Sequence, residues 1–175
     1  MESAEDLAKR MFPGVRQIIS TVYDFPIPID TGVDILYVRP TIYYKADTID
    51  GVDYCLYCLY WYKDNNHPFD FTGFIVRTGG TSFARVHWGF KCFRGIPTFS
   101  PGDHNLCKPQ PDITIIEYRR DVDWCDMTDP DFAPRTKAIF GAAVTPPWTW
   151  LCPEIRKSGL IFYHPDEFYK IMLKG

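Results

Sequence analysis

The sequence predicts a mainly β protein: a single β-sandwich domain, jelly-roll-like, with a short helix at each end. Two compositional observations and one pattern carry that expectation. Aromatic residues make up 17% of the 175 residues, and there are 15 prolines. Aromatic side chains favour the pleated surface of strands, whereas proline interrupts helices and central strands alike. Turn residues such as Asp50-Gly51 and Thr78-Gly79-Gly80-Thr81 also recur at short spacing between aromatic runs, the pattern of a sandwich or barrel. A chain of this length buries roughly 70% of its unfolded surface in one core. No repeat, low-complexity tract or linker divides it, so residues 1–175 are read as one domain.

The elements follow in order. Residues 2–12 place Ala4, Leu7, Ala8 and Met11 on one face of a short helix within an N-terminal appendage 1–14, and Pro13-Gly14 stops it. Phe25-Pro26-Ile27-Pro28 is extended because alternating proline forbids helix. Strands are expected at Asp34–Val38, Thr41–Lys45 and Tyr54–Tyr62, the last two joined across Asp50-Gly51 as a hairpin. Phe71–Arg77 and Ser82–Trp88 form a second hairpin. A Pro/Gly-rich connection from Gly95 to Pro111 precedes a strand at Ile113–Tyr118, and an acidic loop runs from Asp121 to Asp131. Strands at Lys137–Val144 and Leu160–Tyr163 lead to a closing helix within 164–175, with Pro165 near its first turn.

Charge and hydropathy exclude several functions. With 19 Lys+Arg against 22 Asp+Glu and no basic run, the chain lacks the electrostatic footprint of a nucleic-acid binder. No apolar stretch approaches the roughly 18 residues that span a bilayer, so the chain is not transmembrane. The acidic opening Met1–Asp6 is followed by no apolar secretory core, which points to a cytoplasmic protein with reduced cysteines.

Cys55-Leu56-Tyr57-Cys58 has the spacing of a metal or redox motif, but it lies inside an aromatic strand. Residues three apart on a strand point to opposite faces, so these thiols are expected to be small core residues. The polar loop that ends this strand carries more chemistry. Asp64, His67 and Asp70 offer two carboxylates and an imidazole within seven positions, a donor set suited to one divalent cation, Mg²⁺, Ca²⁺, Mn²⁺ or Zn²⁺. The competing reading makes the two aspartates turn caps in a hydrated loop. Further candidates are His87, His104 and Asp123, the last in an acidic cluster that would have to fold back toward Asp70. Cys107 near His104 is the one local nucleophile, without a supporting motif. Trp148 and Trp150, after Pro146-Pro147, suggest an aromatic patch for a protein partner or for an anionic lipid or glycan headgroup, unless they plug one end of the sandwich.

A Tyr60-Trp61-Tyr62 strand, a Lys63-Asp64 pair, and His67-Pro68-Phe69-Asp70 running into Phe71-Thr72-Gly73-Phe74-Ile75-Val76 resemble the core of the necrosis- and ethylene-inducing-peptide-like proteins and the related plant vacuolar-sorting-like family. The resemblance covers residues 34–125. It implies a β-sandwich with a divalent-metal site near one end, used in that family for membrane-lipid recognition and cytolysis. It places Asp64, His67 and Asp70 at family metal positions. Thr72 stands where the family has a Glu ligand, and the first Gly-His of the motif is missing; the expectation carried over is the fold, not the cytolytic activity.

Together these features describe a non-enzymatic binding or assembly module with a divalent-cation loop. Two alternatives remain open: a structural subunit of a virus particle or large complex, and a metal-dependent hydrolase drawing on His87 or His104 as base.

Overall fold

Strand alternation in the aromatic segment organises the fold, and the structure, a computed structural model, describes residues 2–28, 39–49, 51–65, 70–79, 82–86, 89–127 and 129. The chain opens with helix α1 (Ala4–Met11), then strand β1 (Val15–Ile18) and a single 3-10 turn at Val22–Asp24. There follow β2 (Thr41–Ile49), β3 (Val52–Trp61), β4 (Asp70–Arg77), β5 (Ser82–Val86) and β6 (Gly89–Phe93). The last are β7 (Thr98–Phe99), β8 (Leu106–Cys107), β9 (Ile115–Tyr118) and β10 (Asp123–Asp126). They form a four-stranded sheet in the order β8-β7-β1-β9 and a six-stranded sheet in the order β10-β2-β3-β4-β5-β6. Each sheet is mixed, with a parallel pair at β1/β7 and at β10/β2.

The core lies between the sheets. Val15, Phe99 and Tyr118 of the smaller sheet meet Tyr44, Tyr57, Leu59, Trp61 and Phe74 of the larger one. Strand β3 is buried from Tyr54 to Trp61, on both faces. Alternation therefore assigns Cys55 to the inter-sheet core and Cys58 to the opposite face. The two thiols cannot share an ion. Burial also pushes the Cys58 thiol well above its ordinary pKa. Beside it, Gly73 on β4 pairs with Cys58, and a Cβ there would stand 2.8 Å from the Cys58 sulfur; only glycine lets the two strands meet.

The helix forms where expected. Ser3 caps it by accepting the Asp6 amide at 3.1 Å, with Glu5 and Asp6 in the first turn and Lys9 and Arg10 in the last, complementing the helix dipole. Leu7 and Ala8 face the core. Ala8 is among the last four residues, whose carbonyls lack an intrahelical partner, and the buried Tyr57 hydroxyl donates to its carbonyl at 2.6 Å. This bond ties the helix to β3.

Both hairpins are present, with Tyr43 opposite Cys58 in the first and Phe74 opposite Ala84 in the second. Two expectations are corrected, and two strands appear where the sequence suggested no element. The segment Val15–Ile18 is a strand, obscured in the sequence by Gln17, whose buried amide donates to the carbonyls of Ile18, Phe99 and Ser100. Over its described residues the strand read as Ser82–Trp88 runs Ser82–Val86, and Gly89–Phe93, for which the sequence suggested no separate strand, pairs antiparallel with it. The connection Gly95–Pro111 contains β7 and β8, whose two residues each leave no periodicity to read. Part of the acidic loop is β10, in which Trp124 packs on Phe12 at 5.1 Å. The expected strands at Asp34–Val38, Lys137–Val144 and Leu160–Tyr163 and the closing helix within 164–175 lie outside the described residues. No helix among the described residues is long and apolar enough to cross a membrane.

Replacing Tyr57 by Phe removes the helix anchor and leaves a buried carbonyl unpaired. Urea unfolding of Tyr57→Phe is expected to show a loss of about 2 kcal/mol, with an unchanged m-value.

Candidate functional site

Three loops meet where β3 gives way to β4. The register sets Trp61 opposite Asp70, so Asp64, three residues past Trp61, and Asp70 stand at the same end of that hairpin. A β-bridge between Ile27 and Tyr60, with the Ile27 amide donating to the Tyr60 carbonyl at 2.9 Å, brings the loop after β1 to this end. The turn Ser100–Asn105 arrives from between β7 and β8, closed by the Ser100 amide on the Asn105 carbonyl at 2.8 Å. Within it His104 adopts φ 51°, a left-handed conformation that Asn, Asp and His tolerate best among non-glycine residues.

At the junction a buried imidazole bridges two carboxylates. His104 is 0% exposed and Asp24 1%. The His104 Nε2 lies 3.0 Å from Asp24 Oδ1, and its Nδ1 lies 2.8 Å from Asp70 Oδ2. The ring stacks on Trp61, 4.4 Å between centroids and 6° between planes. With a carboxylate at each nitrogen, both ring positions are occupied.

Asp24 is the most heavily bonded member. Its Oδ2 accepts the Ser20 amide at 2.9 Å, the Ser20 hydroxyl at 3.0 Å and the Thr21 amide at 2.9 Å; its Oδ1 accepts the Gly102 amide at 2.7 Å. Burial opposes ionisation, but the amides of Gly102, Ser20 and Thr21, together with His104, hold the Asp24 carboxyl below its ordinary pKa. Gly102 adopts φ 78° and sits against the Asn65 side chain. Asn65 in turn donates to Asp103 at 3.1 Å, so the loop bearing Asp64 is latched to the turn bearing His104.

Of the residues singled out in the sequence, Asp64, Asp70 and His104 come to this one end. Asp123 does not. It lies on β10 with Arg39 at 3.7 Å, and β2 and β3 separate it from β4, about 14 Å at ordinary strand spacing. The acidic cluster therefore does not fold back onto Asp70 through this residue. His67, His87, Trp148 and Trp150 lie outside the described residues. Among the described residues, no group of three His, Cys, Asp or Glu side chains is arranged to hold a metal ion; in the Asp24–His104–Asp70 chain the imidazole nitrogens face the carboxylates instead. Cys107 is no activated nucleophile, because burial raises its thiol pKa.

Sequence reasoning missed Asp24, though a signal existed. Thr21-Val22-Tyr23-Asp24 has the spacing of a capping box, and the structure forms one around the 3-10 turn. The rim of the site is aromatic: exposed Tyr23 and Tyr62 stack 6.1 Å apart, and the Lys63 Nζ stands 5.2 Å from the Tyr23 ring centroid.

Mixed sandwich, terminal helix and polar loop end together define a protein with the fold of the necrosis- and ethylene-inducing-peptide-like toxins, as the aromatic strand and its loop suggested. The chain is similar to NLPPya in complex with glucosamine, at a TM-score of 0.60 and 14% identity over 93% of this chain and 92% of that one. The complex of NLPPya with mannosamine gives a TM-score of 0.58 over the same shares. A structure described as a toxin fold for microbial attack and plant defense matches at 0.56 and 15% identity. No family model matches the sequence, and no curated protein sequence does.

The bonds of Asp24 give stability a defined pH dependence. Its native pKa is depressed, so its contribution is complete above the unfolded value of about 3.9 and is lost as pH falls through the lower native value. Asp24→Asn is expected to be less stable than wild type by about 3 kcal/mol between pH 5 and 7. Thermal melts should show this gap closing below about pH 4.

Proposed function

We propose that the protein is a non-enzymatic binding module that holds a divalent cation with Asp64, His67 and Asp70 and uses the ion to engage a hydroxylated headgroup, a glycan or an amino sugar. One observation carries the reading: Asp70 is held through one oxygen by a buried histidine at the loop end where Asp64 also stands. Metal-binding side chains are commonly oriented by such outer hydrogen bonds. The donor set of two carboxylates and an imidazole suits Mn²⁺, Mg²⁺ or Ca²⁺, with remaining positions taken by water and exchangeable for ligand hydroxyls.

The exposed Tyr23–Tyr62 pair beside the loop offers apolar ring faces against which a sugar could lie. That NLPPya has been solved with glucosamine and with mannosamine supports this ligand class. A hydrolase needs a base open to substrate or water. His104 offers none, since both ring nitrogens face carboxylates in a fully buried site.

Isothermal titration of Mn²⁺, Mg²⁺ and Ca²⁺ into wild type and Asp70→Ala tests the cation. Saturable heat is expected in wild type and at least a tenfold weaker response in the variant; equal or absent heats in both remove the reading. Glucosamine titrated into the ion-loaded protein is expected to bind, and to weaken several-fold in Tyr62→Ala.

A further inference from the structure

Asp24 belongs to none of the ligand positions considered above, yet it joins all the loops around them. We propose that Asp24 is a positioning residue for the cation loop: by bonding the Ser20–Thr21 loop and the Gly102–His104 turn at once, it fixes the imidazole that orients the Asp70 carboxylate. This rests on the cation reading and extends it to a residue that strands β2 and β3 separate in sequence from the loop it serves.

The geometry makes the role specific to a carboxylate. One oxygen faces three donors, the Ser20 amide, the Ser20 hydroxyl and the Thr21 amide; the other faces the Gly102 amide at 2.7 Å and His104 Nε2 at 3.0 Å. A carboxylate accepts at both oxygens, whereas an asparagine accepts at only one. In Asp24→Asn, an NH₂ group must face backbone N–H donors on one side or the other. If the amide oxygen keeps Ser20 and Thr21, the NH₂ confronts the Gly102 N–H and the turn is pushed away. If it keeps Gly102, the loop after β1 is pushed away instead. In either case the imidazole loses its fixed seat.

That seat determines what Asp70 presents. His104 Nδ1 takes Asp70 Oδ2 at 2.8 Å, and the stack on Trp61 confines the ring plane. The hydrogen bond therefore selects one rotation of the Asp70 carboxylate about its χ2 torsion. The same turn carries Asp103, bonded to Asn65 next to Asp64, so its displacement also loosens the other carboxylate-bearing segment. An outer-sphere change of this type commonly weakens metal affinity 10- to 100-fold.

The test compares Mn²⁺ affinity by isothermal titration in wild type, Asp24→Asn, Ser20→Ala and Tyr57→Phe, alongside ¹⁵N chemical shifts of the His104 ring in the ion-free proteins. The expected result is at least tenfold weaker binding in Asp24→Asn and about two- to threefold in Ser20→Ala, which loses one donor to Oδ2. Affinity in Tyr57→Phe should be unchanged, because that variant is destabilised at the helix, away from the site. The His104 ring shifts should move in Asp24→Asn and Asp70→Ala and stay fixed in Tyr57→Phe. Unchanged affinity in Asp24→Asn, or an equal loss in Tyr57→Phe, overturns the positioning role and leaves the cation reading standing. If Asp24→Asn does not fold, Ser20→Ala decides, and wild-type affinity there overturns the proposal. No Mn²⁺ binding by wild type removes both.

Discussion

A carboxylate taken out of water must find its solvation in the protein, and at Asp24 that requirement shapes an entire end of the sandwich. Leaving such a group unpaired costs several kcal/mol, so the donors that reach it are held as firmly as any core contact. Two backbone segments supply them, from the turn after β1 and from the turn between β7 and β8. The charge thus ties together the two loops that leave the same end of the parallel pair β1/β7. Irregular backbone is ordinarily the least constrained part of a domain; here it is fastened by a buried ion with an imidazole as its extension.

The sandwich beneath makes this arrangement affordable in packing terms. Trp61 is a fully buried side chain that belongs to the inter-sheet core and also forms the floor on which His104 stacks. The ring plane of the imidazole is therefore set by the same strand whose end presents Asp70 across the ladder. A polar chain of three residues is compatible with a dry core when every member is satisfied, and the bonds at Asp24 and His104 meet that condition.

Long elements with clear alternation were legible in the sequence. The Tyr54–Trp61 segment, its two antiparallel neighbours and the capped N-terminal helix all declare themselves through period and turn chemistry. What escaped were elements whose identity depends on partners distant in the chain. Strand β1 has a glutamine facing inward, and β7 and β8 are too short to show a period. Strand β10 reads as an acidic loop until Trp124 is seen packed against Phe12 and Tyr44. The site divides along the same line. Asp64 and Asp70 could be paired because one hairpin end carries them, and His104 could be suspected as a loop histidine. That His104 is spoken for on both sides, by an aspartate 80 positions earlier and another 34 positions earlier, is a tertiary fact with no local signature beyond the capping box at Thr21.

The smaller sheet has a consequence for how the chain reaches its native state. It pairs Arg16 with Glu117, residues 101 apart, whose side chains also meet at 3.0 Å. Closing a ring of that size forfeits much chain freedom before any contact is gained, and topologies of this type assemble slowly. During synthesis the first strand must wait, unpartnered, until nearly the whole of the other layer has emerged. The central hairpins, whose partners are neighbours in the chain, are free to form beforehand and to serve as the template on which the ends close.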